Sequence, residues 1–206
     1  MKFSKEFDRL FYTLLLFLLL ISNSKAQFNE THNNQLAHPN LVVTAKGINL
    51  IKKNLGKYPL IDKAIDDMKD LVGEEMTKEK VFPLPKDPSG GYSHEKHKSN
   101  YLMMYRAAML HQVLGEKKYG TYVKEILLGY AKLFPTLELH PYGKSYSPGK
   151  IFWQGLNDAR YLIHVIQAYD CVYYELSPEE REEVESKLLK PFADFLSIGS
   201  PKMFNR

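Results

Sequence analysis

Met104-Tyr105-Arg106-Ala107-Ala108-Met109-Leu110-His111-Gln112-Val113-Leu114-Gly115-Glu116-Lys117-Lys118-Tyr119 decides the fold of this chain of 206 residues. Leu102, Arg106, Met109 and Val113 recur at helical spacing, which predicts a helix from Ser99 to Leu114. Gly115 then stops it, because glycine enters the left-handed conformation that closes a helix without a steric penalty. A second helix from Lys118 to about Phe134 halts before Pro135, whose ring disfavours helical geometry at the preceding residue. So short a turn makes the two helices antiparallel neighbours.

The same pattern continues on both sides. Upstream, Ile48, Ile51 and Leu55, then Ile61, Ile65, Met68 and Val72, read as two helices broken between Gly56 and Pro59. Downstream, helices are predicted from Gln154 to Tyr174 and from Pro178 to Leu196. Ser177, Pro178 and Glu180 form a capping box with proline at the first helical position, and Pro191 is expected to kink or shorten the last helix. The stretches 81–91 and 135–150 are rich in proline and glycine and read as long loops. Sustained two-residue alternation is missing from the rest of the chain, so the fold class is all-α. Hairpins with alternating short and long loops fit either a solenoid or an α/α toroid. The lack of a fixed repeat of roughly 33 to 47 residues favours the toroid.

Lys2, Lys5 and Arg9 precede an apolar run from Leu10 to Ile21, and Ser24 and Ala26 supply small residues ahead of Gln27. Residues 1–26 therefore read as a signal peptide, 27–40 as a flexible lead, and 41–206 as the toroid. The expected location is periplasmic or secreted, with no membrane association after cleavage. Of the 28 lysines and arginines four precede Gln27, and of the 24 acidic residues two do, leaving the remainder at +2. So small and well mixed a charge argues against nucleic acid as a partner. Cys171 is the single cysteine, so no internal disulfide forms, and its apolar surroundings predict a small buried side chain.

Two constellations carry chemistry. Gly90-Gly91-Tyr92-Ser93-His94-Glu95-Lys96-His97-Lys98 runs from a glycine turn into a dense group of cations, read as part of a loop. One residue separates Glu95 from His97, where the zinc-protease signature needs two, so no metal site is expected. His94 and Lys98, with Arg106 beyond them, suit hydrogen bonding to carboxylates and hydroxyls. The second runs from His140 through Lys144, Tyr146 and Lys150 to Trp153, Gln154, Asn157, Asp158, Arg160 and Tyr161. Its aromatic faces suit sugar rings, and its lysine and glutamine side chains suit a sugar carboxylate. Gln154, Asn157, Arg160 and Tyr161 are expected on one helix face. A plainer reading stays open beside this one, with Trp153, Leu156 and Tyr161 in the core and Asp158 and Arg160 solvated.

The segments His38-Pro39-Asn40-Leu41, Gly90 to Lys98, and Gly149-Lys150-Ile151-Phe152-Trp153-Gln154, in that order, resemble the amino-terminal part of exported alginate lyases of the oligoalginate type, relatives of heparinase II/III. The resemblance implies an α/α toroid followed by a β-sandwich domain, and β-elimination on alginate or a related uronate polymer. Such a reaction neutralises the uronate carboxylate, removes the C5 proton and protonates the departing O4, with no cofactor. It implies substrate binding by His94, Lys98, Lys144, Tyr146, Gln154, Asn157 and Arg160. The family's Asn-His pair and catalytic tyrosine follow the segment resembling Phe204-Asn205-Arg206, so the catalytic residues are expected beyond Arg206. The chain is thus expected to be an incomplete toroid, inactive alone, missing a carboxy-terminal β-sheet domain, with an acidic polysaccharide as its partner. A non-catalytic glycan-binding helical module and a helical-repeat adaptor for protein are the alternatives.

Overall fold

A computed structural model describes residues 37–142 and 147–198; the expected signal peptide, most of the expected lead, Lys144 and Tyr146 lie outside the described residues. Among the described residues seven α-helices run in chain order as α1 (Ala45–Asn54), α2 (Pro59–Met76), α3 (Tyr92–Leu114), α4 (Lys117–Leu133), α5 (Gly155–Val172), α6 (Pro178–Val184) and α7 (Lys190–Ser197). Among the described residues there is no strand. The fold class is all-α, as the periodicity predicts.

The α3–α4 hairpin forms where the sequence places it. Gly115 takes φ of 73°, and its N–H donates to the His111 carbonyl at 2.8 Å, closing the last turn of α3. α3 lies at the centre, packed against α2, α4 and α5. Met104, Ala107, Ala108, Leu110 and Val113 are all buried, and the two alanines let neighbouring backbones come close. α4 answers with Val123, Ile126, Leu127 and Tyr130, and α5 with Tyr161, Leu162 and Val165. Each large apolar side chain so enclosed contributes about 1.5–3 kcal/mol by leaving water.

The carboxy-terminal helix is divided by its proline. Pro191 has no N–H for the Lys187 carbonyl and its ring crowds the turn before it, so residues Glu185–Leu189 widen into a π turn between α6 and α7. The kink expected at Pro191 is this turn. The capping box at Ser177 and Glu180 is present as predicted. Past the π turn, Phe192 is fully buried and stacks on Phe134 with centroids 4.5 Å apart, which docks α7 onto the core.

Two sequence expectations are corrected. α3 starts at Tyr92 rather than Ser99, so His94 to Lys98 occupy its first two turns instead of a loop. Helical order there is set by tertiary partners: Ser93 N–H donates to Asp87 Oδ2 at 2.9 Å, while the Lys86 and Asp87 amides donate to Ser93 Oγ at 3.1 and 3.0 Å. This reciprocal arrangement satisfies amides that a helix start would otherwise orphan. Leu156, a core candidate in the plainer reading, is 72% exposed.

Residues 38–41, part of which falls in the expected lead, are tied to α5. Asp170 accepts hydrogen bonds from His38 Nδ1 at 2.5 Å, from the Asn40 amide at 2.8 Å and from the Leu41 amide at 2.9 Å. His38 also stacks on Tyr173 at 3.9 Å.

Candidate functional site

The first turns of α3 meet the segment that leads into α5. The edge of the His94 ring rests on Phe152 with centroids 4.8 Å apart, and His97 and Tyr101 approach the same phenyl ring at 6.2 Å each. The two constellations distant in sequence are therefore joined in space, as a shared site requires.

Within this seam the histidines differ. His97 is fully buried, with Nδ1 2.8 Å from the Tyr130 hydroxyl and Nε2 2.9 Å from the Pro83 carbonyl. A carbonyl only accepts, so Nε2 carries the proton and Tyr130 donates to Nδ1. Asn100 completes the network by donating to the Tyr130 oxygen at 3.1 Å and to the Val81 carbonyl at 3.0 Å. Burial pulls the His97 imidazole down to about 4. Both of its nitrogens are engaged, so it holds the 81–83 segment and is not available to a ligand.

His94 is also buried, but its Nδ1 meets no hydrogen-bond partner among the described residues, and its Nε2 lies 4.0 Å from Glu95. Burial lowers its pKa, Glu95 opposes that shift and Lys98 adds to it. It is therefore a neutral imidazole with open hydrogen-bonding capacity, where the sequence suggested a cationic donor. His140 is buried beside the same seam; its Nδ1 accepts from the Tyr142 amide at 3.1 Å, and burial lowers its pKa too.

Lys98 lies one turn beyond His94, exposed, with its ammonium 3.1 Å from Glu95 Oε2. Surface pairs of this kind are weak and exchange readily for another anion. Lys96 is instead committed to Glu75 of α2 at 2.8 Å.

The 149–154 segment is shaped by Asp158, which is completely buried. The Lys150 amide donates to its Oδ2 at 2.6 Å and the Phe152 amide to its Oδ1 at 2.8 Å. Burial pushes this carboxyl up to about 7, against the pull of those amides. A Cβ at Gly149 would fall 2.3 Å from the Phe152 carbonyl oxygen and 2.6 Å from Asp158 Oδ2, so only glycine fits. Lys150 donates its ammonium to the Leu137 carbonyl at 2.8 Å.

Gln154 caps α5 through its backbone and makes no side-chain capping bond; it and Asn157 are half-buried. The single face expected for Gln154, Asn157, Arg160 and Tyr161 is not formed as such. Tyr161 is buried, whereas Arg160, about 100° round the helix from it, is exposed. Asp158, solvated in the plainer reading, is instead buried. Lys144 and Tyr146 lie outside the described residues. His140 and Asp158 were not among the predicted site residues, nor were Tyr92 and Tyr142, which stand 63% and 55% exposed near the seam's two strands of sequence. Their only signal was membership in the two dense constellations. No group of His, Cys, Asp and Glu among the described residues is arranged to hold a metal ion. A cavity of about 420 Å³ beside Asp170 is bordered by His38, Leu41, Ile166 and Glu185 and by none of the predicted site residues.

Among the described residues no helix is long and apolar enough to cross a membrane. No protein-family model matches the chain. It is 43% identical over 169 residues to an exo-oligoalginate lyase of Saccharophagus degradans, a match that takes in 82% of this chain and 23% of that protein. It is likewise 43% identical over 124 residues to an alginate lyase of Stenotrophomonas maltophilia, covering 60% of this chain and 17% of the relative. The chain thus spans less than a quarter of the length of these curated relatives.

Proposed function

From the chain's kinship with the alginate lyases over the part it spans, we propose that the face around His94 and Phe152 binds an acidic sugar of the alginate type. The observation that carries this reading is the contact of His94 with Phe152, which brings the cation-rich start of α3 to the segment bearing Gln154. Lys98 and Arg160 offset the uronate carboxylates, Gln154 and Asn157 address hydroxyls, and the buried His94 backs this face against Phe152. Lys144 and Tyr146, outside the described residues, are assigned to binding from the sequence. Tyr92 and Tyr142 offer flat surfaces to sugar rings.

In this reading the helices are part of an α/α toroid that follows a signal peptide of residues 1–26 and a lead of residues 27–40, in a periplasmic or secreted protein. The reaction is β-elimination, and this part of the protein supplies binding rather than proton transfer. The burial of Tyr101, Tyr130 and Tyr161 and the full engagement of His97 support that division.

Calorimetric titration of the 206-residue chain with short mannuronate and guluronate oligomers tests the reading. Salt-sensitive binding that weakens roughly tenfold in Gln154→Ala, the equivalent of one hydrogen bond, is expected. Absence of binding to both oligomers contradicts it. Release of unsaturated, ultraviolet-absorbing oligosaccharide from alginate by this chain contradicts the division between binding and proton transfer.

A further inference from the structure

We propose that Asp158 is a positioning residue: its buried carboxylate fixes the course of the 149–154 segment and thereby sets where Gln154 stands relative to His94. The inference rests on reading this face as a sugar site, but the positioning itself can be measured without a sugar.

The Asp158 carboxylate grips the segment at two points. Its two oxygens take separate amides, Lys150 at 2.6 Å and Phe152 at 2.8 Å, and neither amide belongs to a helix. Gly149 presses directly on the carboxylate, where any side chain would collide with it. Other anchors of the segment among the described residues are the His140 amide on the Gly149 carbonyl at 2.8 Å, the Lys150 ammonium on the Leu137 carbonyl at 2.8 Å and the Gly155 amide on the Ser147 carbonyl at 2.9 Å. A carboxylate buried on a helix is costly unless its oxygens are satisfied, and these backbone amides satisfy it. Lys150 is the charged group nearest in this network, and the Tyr161 hydroxyl, buried and without a hydrogen-bond partner among the described residues, lies within its electrostatic reach.

Asp158→Asn tests the role while keeping shape. An amide offers one acceptor oxygen and turns an NH2 toward a backbone donor, so at least one of the two bonds is lost. Trp153 is the single tryptophan and sits inside the segment, so its emission reports the segment's position. The expected result is a shifted Trp153 emission and faster amide exchange at Lys150 and Phe152 with helical circular dichroism retained. Leu188→Ala, a buried change in the carboxy-terminal helix, is expected to lower Tm while leaving that emission in place. Unchanged emission and exchange in a folded Asp158→Asn protein overturns the proposal. If that variant does not fold, the unaltered chain decides: slowed exchange at the Lys150 and Phe152 amides supports the role, and unprotected exchange overturns it. Oligomer affinity falling roughly tenfold alongside the emission change links the role to binding. A shifted emission in a chain that binds no oligomer supports the positioning role and removes the sugar reading instead.

Discussion

The α3–α4 hairpin and the seam between the start of α3 and the 149–154 segment are both thoroughly buried, yet by opposite means. The hairpin encloses Met104, Leu110, Val123 and Leu127, side chains that ask nothing of their neighbours but shape. The seam encloses Ser93, His94, His97, Asn100, His140 and Asp158, which must each find partners. Apolar burial builds the scaffold and tolerates approximate neighbours. Polar burial fixes particular atoms in particular places, and among the described residues His94 Nδ1 is buried there without a partner.

The contrast can be broken most forcefully in the hairpin. Leu110→Ala removes a fully buried side chain at the heart of α3 and is expected to cost about 2–5 kcal/mol in denaturant unfolding while leaving oligomer affinity in the folded protein unchanged. A loss below that range would mean that the centre is loosely packed. Next comes the seam itself. His97→Ala strips partners from the Tyr130 hydroxyl and the Pro83 carbonyl, an expected loss of about 1–3 kcal/mol.

The same histidine predicts a pH dependence. Its folded pKa of about 4 lies below the ordinary 6.5, so the unfolded chain takes up the proton first. The contribution of His97 to stability is therefore full above pH 6.5, declines as pH falls toward 4, and levels off below. Part of that slope should vanish in His97→Ala, and an identical slope in both proteins would remove His97 from the network. The smallest effect belongs to an exposed cap outside both buried regions: Ser177→Ala, losing one side of a capping box, should cost about 1 kcal/mol by thermal unfolding and leave Trp153 emission as it was.

What could be read in the sequence follows the same division. Helix spacing, Gly115, Pro135 and the Ser177 box are local signals, and each led to the element that forms. Pro191 announced a disturbance, though not that it would take the form of a π turn. The first two turns of α3 were read as a loop because Ser93, His94, Lys96, His97 and Lys98 present no apolar stripe. Their helix depends on Asp87, Pro83, Tyr130 and Glu75, partners from other parts of the chain that periodicity cannot express. Asp158 illustrates the same limit. An aspartate amid polar residues reads as solvated, and only the folded path of Lys150 and Phe152 turns it into a buried clamp. Arg160 and Tyr161 were grouped by spacing from a common start, yet the roughly 100° between them is enough to put Tyr161 in the core and Arg160 in solvent.

Whether the two segments make one sugar-binding face is tested by amide chemical shifts of the 206-residue chain titrated with an alginate trisaccharide. A shared face requires that residues around His94, Lys98 and Gln154 shift together with a single affinity, while those of α6 and α7 stay still. Shifts confined to one of the two segments, or centred beside Asp170, would contradict it.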